Sequence, residues 1–188
     1  MKKLIAAMLT VFVLLAFAAC ASDSGSPAQA PDPEPEPAPS YNVGEILQLT
    51  NYEFTVTDNV SFAARVETGG VVSHVFRPTR EDRILAYVPV EITNISGERR
   101  RMLPSRLETP TQFTARLRYI GEDGSTSFMP IALSASVGDI IDRTINPGDT
   151  ITGRVFFQIP PEIEDSTGDV IFVLRTNAGD IMGEFQVR

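Results

Sequence analysis

Apolar and polar residues alternate along most of the chain beyond residue 41, and this pattern predicts short β-strands. Tyr52, Phe54 and Val56 fall on one face of a strand with period two, whereas Glu53 and Thr55 fall on the other. Further strands are predicted at Arg83–Thr93, Phe113–Tyr119, Ile151–Ile159, Val170–Arg175 and Met182–Val187. No stretch of ten residues has the apolar stripe of a helix, so the pattern favours an all-β fold.

Turn-forming residues separate these runs, as expected for an antiparallel sandwich. The turns are predicted at Asn94–Gly97, Asp123-Gly124, Asn146–Gly148 and Ala178–Asp180. Asp123-Gly124 predicts a hairpin with a type I′ turn, and Pro147-Gly148 predicts a type II turn with a positive φ at the glycine. Pro89 predicts an edge position or a bulge, because it cannot donate to a ladder. Val60–Arg80 is interpreted as a long loop.

The chain begins with a short positive segment and then an uncharged run of sixteen residues, Leu4–Ala19. A helix that spans a bilayer needs roughly 20 apolar residues, so this run is short for a membrane span. Lysines followed by a short apolar run that ends in small residues are typical of a secretory signal peptide, here residues 1–19. A retained single-span anchor is the alternative, and the lack of a positive cluster after the run disfavours it.

Cys20, the single cysteine of the chain, follows this run directly in Phe17-Ala18-Ala19-Cys20. The segment resembles a bacterial lipobox, with Phe17 in place of the usual leucine. The resemblance implies cleavage before Cys20 and a diacylglyceryl thioether on its sulfur, often with an added N-acyl chain. Two or more acyl chains hold a protein stably on a membrane, whereas one holds it only marginally. The lone thiol is therefore interpreted as a lipid-attachment site.

Residues 20–40 connect this cysteine to the alternating part of the chain. Ala21–Ser40 contains six prolines and four acids, with no aromatic or β-branched residue. Such a composition cannot bury enough apolar surface to fold, and the regular prolines favour an extended spacer. A docking tail that carries a binding motif is the alternative. The predicted organisation is thus a signal peptide (1–19), a lipidated cysteine with a linker (20–40) and one domain (41–188).

The predicted domain is acidic, and its positive charge comes from arginine alone. Sixteen basic and 24 acidic residues give the whole chain a net charge of −8. Without Lys2 and Lys3, 14 arginines against 24 acids leave −10, and without the four acids of the linker the domain retains −6. A surface of this sign binds nucleic acid poorly, so no nucleic-acid partner is expected.

Several segments of the domain have an order of residues that is found in a known family. Arg83–Gly97 combines a long apolar strand with an Asn-x-Ser turn, and Asn146–Pro160 has a Pro-Gly-acid-Thr order before an aromatic strand and a proline. Both resemble an immunoglobulin-like domain of unknown function that is common in lipoproteins and secreted proteins of Gram-positive bacteria. Val43–Glu45 and Tyr52–Thr57 resemble its first two strands. The resemblance implies an immunoglobulin-like β-sandwich and an extracytoplasmic location, with no known activity.

Residues for catalysis or metal binding are sparse. His74 is the single histidine, and with Cys20 assigned to lipid attachment the usual zinc and copper ligand sets are missing. A Ser-His-acid triad would have to use His74, and no Gly-x-Ser-x-Gly motif accompanies it. The acidic runs Glu162–Asp165 and Asp139–Asp142 lack the order of an EF-hand loop and are interpreted as solvated loops. We therefore expect no enzyme activity, no metal and no cofactor.

Positive charge is concentrated after the long apolar strand, at Arg99, Arg100, Arg101 and Arg106. Guanidinium groups bind phosphate and carboxylate groups with paired hydrogen bonds, and loops on a rigid scaffold often carry binding sites. These four arginines are the candidate anion-binding loop. The alternative is an ordinary solvated loop without a ligand.

The sequence as a whole predicts a lipid-anchored, extracytoplasmic binding or interaction module on a bacterial cell membrane. Its expected partners are the membrane, through the N-terminal lipid, and an envelope protein or an anionic surface polymer. An accessory lipoprotein that binds a solute or an ion for a transporter or a sensor is the alternative, and a surface hydrolase ranks third. A pocket with convergent polar groups would favour the alternative, and a flat apolar patch would favour the interaction module.

Replacing Cys20 with serine tests the anchoring hypothesis. Cys20→Ser removes the sulfur that accepts the acyl chains, so we expect the variant to retain residues 1–19 and to lack the mass of the lipid. Mass spectrometry measures both changes, and detergent partitioning of the cell fraction gives a second readout. A variant with the mass and the partitioning of the wild type would exclude lipid attachment at Cys20.

Overall fold

Two β-sheets face each other in the computed structural model, which describes residues 37–68, 74–101, 113–131, 143–176 and 178–188. Residues 68 and 74 are described for the backbone only. Pro37–Arg188 forms one compact unit. The predicted signal peptide, Cys20 and the linker up to residue 36 lie outside the described residues, as do Arg106 and Asp139–Asp142.

The first sheet contains five strands: β1 (Ser40–Asn42), β9 (Phe113–Ile120), β10 (Thr126–Pro130), β13 (Asp169–Thr176) and β14 (Ile181–Gln186). Their order across the sheet is β1-β14-β13-β9-β10. β1 is parallel to β14, and the other pairs are antiparallel. Ser40, at the end of the predicted linker, already pairs with Glu184 of β14.

The second sheet contains β2 (Ile46–Gln48), β3 (Tyr52–Val56), β4 (Ser61–Ala63), β7 (Ile84–Asn94) and β12 (Thr150–Ile159). Its order is β12-β7-β3-β2, and β4 pairs with β7 beyond the end of β3. All of these pairs are antiparallel. A bridge between Ile131 and Phe157 joins the two sheets along one side.

Two short ribbons complete the described structure. β5 (Val66–Thr68) pairs with β6 (His74–Phe76), and β8 (Arg100–Arg101) pairs with β11 (Thr144–Ile145). In the described ranges, helical geometry is confined to a 3-10 turn at Pro161–Ile163, and no helix there is long and apolar enough to cross a membrane. The predicted all-β, immunoglobulin-like sandwich is confirmed.

The two sheets bury an aromatic core between them. Phe54 of β3 stacks on Phe172 of β13 with ring centroids 5.7 Å apart, and the Phe185 ring of β14 lies 5.8 Å from the Phe54 ring. All three side chains are fully buried, and burying one such ring stabilises a fold by roughly 1.5–3 kcal/mol. The inward positions follow the predicted alternation: Tyr52, Phe54, Val56, Phe113, Ala115 and Leu117.

Pro89 lies in the middle of the second sheet, so the predicted edge position or bulge is wrong. β7 pairs with β12 on one side without a register shift and with β3 and β4 on the other. The Pro89 carbonyl accepts a hydrogen bond from Thr57 N at 3.0 Å. Because a strand residue directs its nitrogen and its oxygen to the same side, the proline nitrogen faces the gap between β3 and β4. The missing N–H therefore breaks no ladder bond.

Val60–Arg80, predicted as a long loop, contains three short strands instead. β4 extends the second sheet, and the β5–β6 ribbon covers the outer face of that sheet. There Val66 and Phe76 pack with Leu85 and Phe156 in a second, small core, with the Phe76 and Phe156 ring centroids 5.0 Å apart. Strands of three residues are too short to produce a clear period of two, which is why the sequence did not reveal them.

The predicted hairpin between β9 and β10 is confirmed, but its turn is not the predicted type I′. Gly124 N donates to Gly121 O at 2.9 Å, and Gly121 N donates to Ser125 O at 2.8 Å. The loop therefore has three residues and ends at Gly124 with a φ of 79°, as in a type I turn followed by a G1 bulge. Asp123 Oδ1 accepts from Ser125 N at 2.9 Å, a local hydrogen bond that favours this turn.

Val43–Glu45 is a turn between the two sheets rather than a strand. It connects β1 of the first sheet to β2 of the second, and Glu45 N donates to Asn42 O at 3.1 Å across it. Of the two strands expected from the family resemblance, Tyr52–Thr57 is therefore present, as β3, and the other is not.

The predicted type II turn at Asn146–Asp149 is confirmed. Asp149 N donates to Asn146 O at 3.1 Å, and Gly148 has a φ of 78°. The turn packs against the end of β7, where Gly148 N donates to Asn94 O at 2.8 Å and Asn94 N donates to Asp149 O at 3.0 Å. Since both bonds end on Asn94, the turn fixes the position of that residue.

Among the described residues, Asn94 is the buried residue with a polar side chain, and it has no exposed surface. Its Nδ2 donates to Glu98 O at 2.7 Å and to Ile145 O at 3.0 Å. Its Oδ1 accepts from Ser96 N at 3.0 Å and from Ser96 Oγ at 2.7 Å. The side-chain amide thus makes all four hydrogen bonds that it can make. It ties the end of β7 to the residues that follow it and to β11.

Replacing Gly148 with valine tests the turn. A β-branched residue at a positive φ is strained, so Gly148→Val should lower the free energy of unfolding by about 1–3 kcal/mol. A Cβ at this position would meet no atom within 4 Å, so the cost comes from the backbone alone. Gly97→Val is the matched control, because Gly97 has equal space and no positive φ. Urea denaturation measures both, and equal midpoints would contradict the turn assignment.

Replacing Asn94 with alanine tests the buried amide. Asn94→Ala removes the partner of the buried Ile145 carbonyl and of Ser96 N, while Ser96 Oγ can still donate to Glu98 O, so we expect a loss of about 2–4 kcal/mol in the free energy of unfolding. Asn146→Ala is the control. It removes one exposed hydrogen bond, from Asn146 Nδ2 to Asp149 Oδ2, and should cost less than about 1 kcal/mol. Similar losses for the two variants in urea denaturation would disprove the special role of Asn94.

Candidate functional site at one end of the sandwich

Four arginines meet on the ribbon that β8 and β11 form. Arg100 is paired with Ile145, and Arg101 is paired with Thr144. Arg99 comes directly before β8 and Arg143 directly before β11, so the pairing brings Arg143 beside the predicted loop. Arg99, Arg100, Arg101 and Arg143 are called the arginine ribbon below. Arg106, the remaining member of the predicted loop, lies outside the described residues.

Arg143 was missed because it is more than 40 residues away from Arg99–Arg101 in the sequence. The strand that carries its neighbours, Thr144–Ile145, has two residues, and two residues have no detectable period. The only local signal was its position just before the predicted type II turn at Asn146–Asp149. Since that turn is bound to the end of β7, Arg143 had to lie near the residues that follow β7.

Buried groups hold the arginine ribbon against the core of the domain. Ile145 is almost fully buried and belongs to the main core. Asn94 Nδ2 binds the Ile145 carbonyl on one strand and the Glu98 carbonyl just before the other. A loop fixed in this way loses little conformational entropy when it binds a partner.

Arg100 is turned towards the protein rather than towards solvent. Its Nε donates to Ser96 Oγ at 3.1 Å, and its Nη2 donates to Glu98 Oε2 at 3.4 Å. The side chain is 32% exposed. Arg99, Arg101 and Arg143 are exposed, and Arg101 also contacts a neighbouring group. The outward charge of the arginine ribbon therefore comes from three of its four members.

Tyr52 links the arginine ribbon to the space between the sheets. Burial raises the pKa of the Tyr52 hydroxyl above its usual value, and the charge and hydrogen bond of Arg100 oppose this change. The phenol therefore stays protonated at neutral pH and can both donate and accept a hydrogen bond. Its ring packs edge-on against Phe113 with centroids 5.4 Å apart.

A cleft of about 330 Å³ opens beside Tyr52, between the ends of the two sheets. It lies between the β2–β3 turn and the ends of β9, β13 and β14. The residues that line it are Leu49, Thr50, Asn51, Tyr52, Phe113, Thr176 and Met182. Binding sites for small molecules are typically clefts of this size or larger, mostly apolar with a few polar groups. The arginine ribbon and this cleft lie at the same end of the domain, and the charge of Arg100 acts to lower the pKa of Tyr52, which lines the cleft.

The other residues considered from the sequence are not assembled into a site within the described ranges. His74 is in β6, and its side chain lies outside the description. Glu162, Glu164 and Asp165 are exposed around the buried Ile163. No group of three or more His, Cys, Asp or Glu side chains among the described residues is arranged to hold a metal ion.

Comparisons with known proteins give a family match and similar solved structures. A family profile described as a domain of unknown function (DUF4352) matches residues 41–173. An uncharacterized β-sandwich protein from Clostridium difficile is 19% identical over 84% of this chain and 99% of that chain, with a TM-score of 0.59. A conserved hypothetical protein from Bacillus anthracis is 16% identical over 79% of this chain and 95% of that chain, with a TM-score of 0.47. No curated protein matches the chain.

The family match covers both segments on which the resemblance to a domain of unknown function was based, Arg83–Gly97 and Asn146–Pro160. The likeness to the Clostridium difficile structure, at this level of identity, concerns the β-sandwich fold alone. Because the profile spans well over half of the sequence, the chain belongs to the DUF4352 family, a domain of unknown function.

Proposed function

We propose that the protein is a lipid-anchored, extracytoplasmic binding module that uses the arginine ribbon to bind an anionic surface of the cell envelope. The lipid is attached at Cys20 behind the signal peptide, and residues 21–36, which precede the compact unit, act as the spacer. The function is binding rather than catalysis. Lys2, Lys3, the short apolar run and the position of Cys20 support the anchor.

The single observation that carries the binding proposal is the gathering of arginines on an acidic domain. Arg99, Arg101 and Arg143 come from two distant segments and are exposed on one ribbon, although the domain has a net charge of −6. Like charges placed side by side repel each other, and an anionic partner would relieve that repulsion. Guanidinium groups form paired hydrogen bonds with phosphate. We therefore infer a phosphate-bearing partner, either a phospholipid headgroup or an anionic surface polymer.

The fixed geometry of the ribbon also supports a binding role. Arg100 donates hydrogen bonds to Ser96 and Glu98, so it helps to support the ribbon, while Arg99, Arg101 and Arg143 are exposed. The Asn94 side chain donates hydrogen bonds to both segments of the ribbon, at Glu98 O and Ile145 O. A solvated loop that only keeps the protein soluble needs no such support.

A second candidate function is favoured by the cleft beside Tyr52. An accessory lipoprotein that binds a solute for a transporter or a sensor needs a concave site, and the open cleft of about 330 Å³ offers one. The two candidates use different residues, so they can be tested separately.

Exchange of the three exposed arginines tests the main proposal. The soluble fragment Ala21–Arg188 is used, so that its own lipid does not bind the vesicles. We expect it to co-sediment with vesicles that contain phosphatidylglycerol, and less so as salt is raised, because charges are screened over about 10 Å at 0.1 M salt. The triple variant Arg99→Gln, Arg101→Gln, Arg143→Gln should lose at least about tenfold in affinity, since each lost phosphate contact weakens a binding that is mainly electrostatic.

A charge-matched control separates the ribbon from net charge. Arg65→Gln, Arg77→Gln and Arg116→Gln remove three exposed arginines elsewhere on the domain, and this variant should retain most of its binding. Competition with soluble polyphosphate distinguishes a phosphate polymer from a lipid surface. If the partner is a phosphate polymer, low concentrations of polyphosphate should displace the protein from the vesicles. If the partner is a lipid surface, they should not. Equal loss of binding in both triple variants, or equal binding of all proteins, would disprove a specific role for the ribbon.

A further inference from the structure

The chain enters the domain at the end that carries the arginine ribbon, called the ribbon end below. β1 is parallel to β14, with Ser40 paired to Glu184 and Asn42 to Gln186. Glu184 N also donates to Pro39 O at 3.0 Å. Because parallel strands run in the same direction, the residues before Ser40 lie beside the start of β14. The start of β14 lines the cleft of the ribbon end, so the predicted spacer reaches the domain there.

Strand pairing distinguishes the ribbon end from the opposite end of the domain. Tyr52 is paired with Asn94, where β7 ends and the residues of the ribbon follow, and the Tyr52 ring packs on Phe113 at the start of β9. At the opposite end, Thr126 is paired with Ile120 in the β9–β10 hairpin. The eight residues of β9 separate the two ends by about 23 Å, since a strand rises roughly 3.3 Å per residue.

Two exposed isoleucines also lie at the ribbon end. Ile95 follows the buried Asn94 directly and is 46% exposed, although its N–H is held by Asn51 O at 3.0 Å. Ile181, the first residue of β14, is 40% exposed. A surface that combines positive charge with exposed apolar side chains suits the headgroup region of an anionic membrane, because the apolar groups leave water there. A soluble phosphate polymer offers no apolar layer and gains nothing from these side chains.

The charge of the domain favours the same orientation. The domain as a whole carries −6, so an anionic membrane repels most of its surface and attracts the part where Arg99, Arg101 and Arg143 are exposed. A spacer as short as residues 21–36 would also keep the domain at a millimolar effective concentration beside the membrane. Even a weak attraction then suffices to hold the domain on that surface.

We propose that the ribbon end is a membrane-docking face, which lies on the anionic phospholipid surface that carries the protein's own lipid. Arg99, Arg101 and Arg143 contact lipid phosphates, and Ile95 and Ile181 enter the headgroup layer. The docking face rests on the proposed function and goes beyond it in two respects. It selects a lipid surface rather than a polymer, and it fixes which end of the domain faces the membrane.

Serine substitutions of the two isoleucines separate a lipid surface from a polymer. The soluble fragment Ala21–Arg188 with Ile95→Ser and Ile181→Ser should bind phosphatidylglycerol vesicles at least about threefold more weakly in co-sedimentation, and its binding to soluble polyphosphate should stay unchanged. Val75→Ser and Phe128→Ser form the matched control, because both residues are at least as exposed and lie away from the ribbon end. Equal vesicle binding by the two double variants would overturn the proposal.

Tryptophan fluorescence shows which end of the tethered domain meets the membrane, since the chain has no tryptophan of its own. The fragment Cys20–Arg188 is coupled through its single thiol to a maleimide lipid in phosphatidylglycerol vesicles that contain brominated lipids. Ile95→Trp places the reporter at the ribbon end, and Thr126→Trp places it at the opposite end. We expect severalfold stronger quenching for Ile95→Trp, with Ile181→Trp as the second reporter if that variant fails to fold. Equal quenching at the two ends, or stronger quenching for Thr126→Trp, would overturn the proposal.

The location of the brominated lipids tests whether the domain docks on its own membrane. They are placed either in the vesicles that carry the tethered protein or only in added vesicles without protein. Quenching for Ile95→Trp should require the first arrangement. Quenching of the same size by the added vesicles would show docking on any anionic membrane and would contradict the proposal.

The same measurements separate the docking face from the proposed function. If polyphosphate binding requires Arg99, Arg101 and Arg143 but neither the isoleucine effect nor the quenching is found, the docking face fails and the ribbon proposal stands with a polymer as the partner. If the quenching persists in the triple variant Arg99→Gln, Arg101→Gln, Arg143→Gln, the ribbon proposal fails and the docking face stands on the isoleucines and the spacer.

Discussion

A buried side-chain amide organises the end of the sandwich on which every functional proposal rests. An unsatisfied amide inside a protein costs several kcal/mol, so Asn94 is compatible with its position only when all four of its side-chain hydrogen bonds are made. Those bonds go to two pieces of chain, the loop that contains Ser96 and Glu98 and the strand that contains Ile145. The backbone of Asn94 adds two more, to the type II turn that contains Gly148. The requirement to satisfy one amide therefore sets the position of β8, β11 and the turn before β12.

This arrangement places two kinds of binding chemistry at the same end of an acidic domain. The arginine ribbon directs charge outward, while the cleft beside Tyr52 offers an apolar surface. Arg100 stabilises the ribbon through its hydrogen bonds to Ser96 and Glu98. The two sites use different residues, since the ribbon carries exposed charge and the cleft is lined mostly by apolar side chains.

The sequence pattern predicted the long strands correctly. It failed where the backbone geometry depends on residues that are distant in the chain. β3, β7, β9 and β12 are long enough for apolar alternation to be visible, and the Pro147-Gly148 turn follows from φ preferences alone. Pro89 was misassigned because its missing N–H faces a gap between two neighbouring strands, which no local pattern reveals. The strands within Val60–Arg80 are too short for a period, and the turn at Gly121–Ser125 differs because Asp123 binds Ser125 N.

The sequence by itself determined the all-β class, the position of the main strands and the type II turn, because these depend on residues that are near each other in the chain. It also carried the signals for secretion and for lipid attachment at Cys20, which remain predictions. Only the tertiary structure decided which arginines form one surface. Arg143 joins Arg99–Arg101 through the pairing of two-residue strands, and Arg100 turns inward because it hydrogen-bonds Ser96 and Glu98. Such contacts join residues that are distant in the chain, and one sequence records no signal for them.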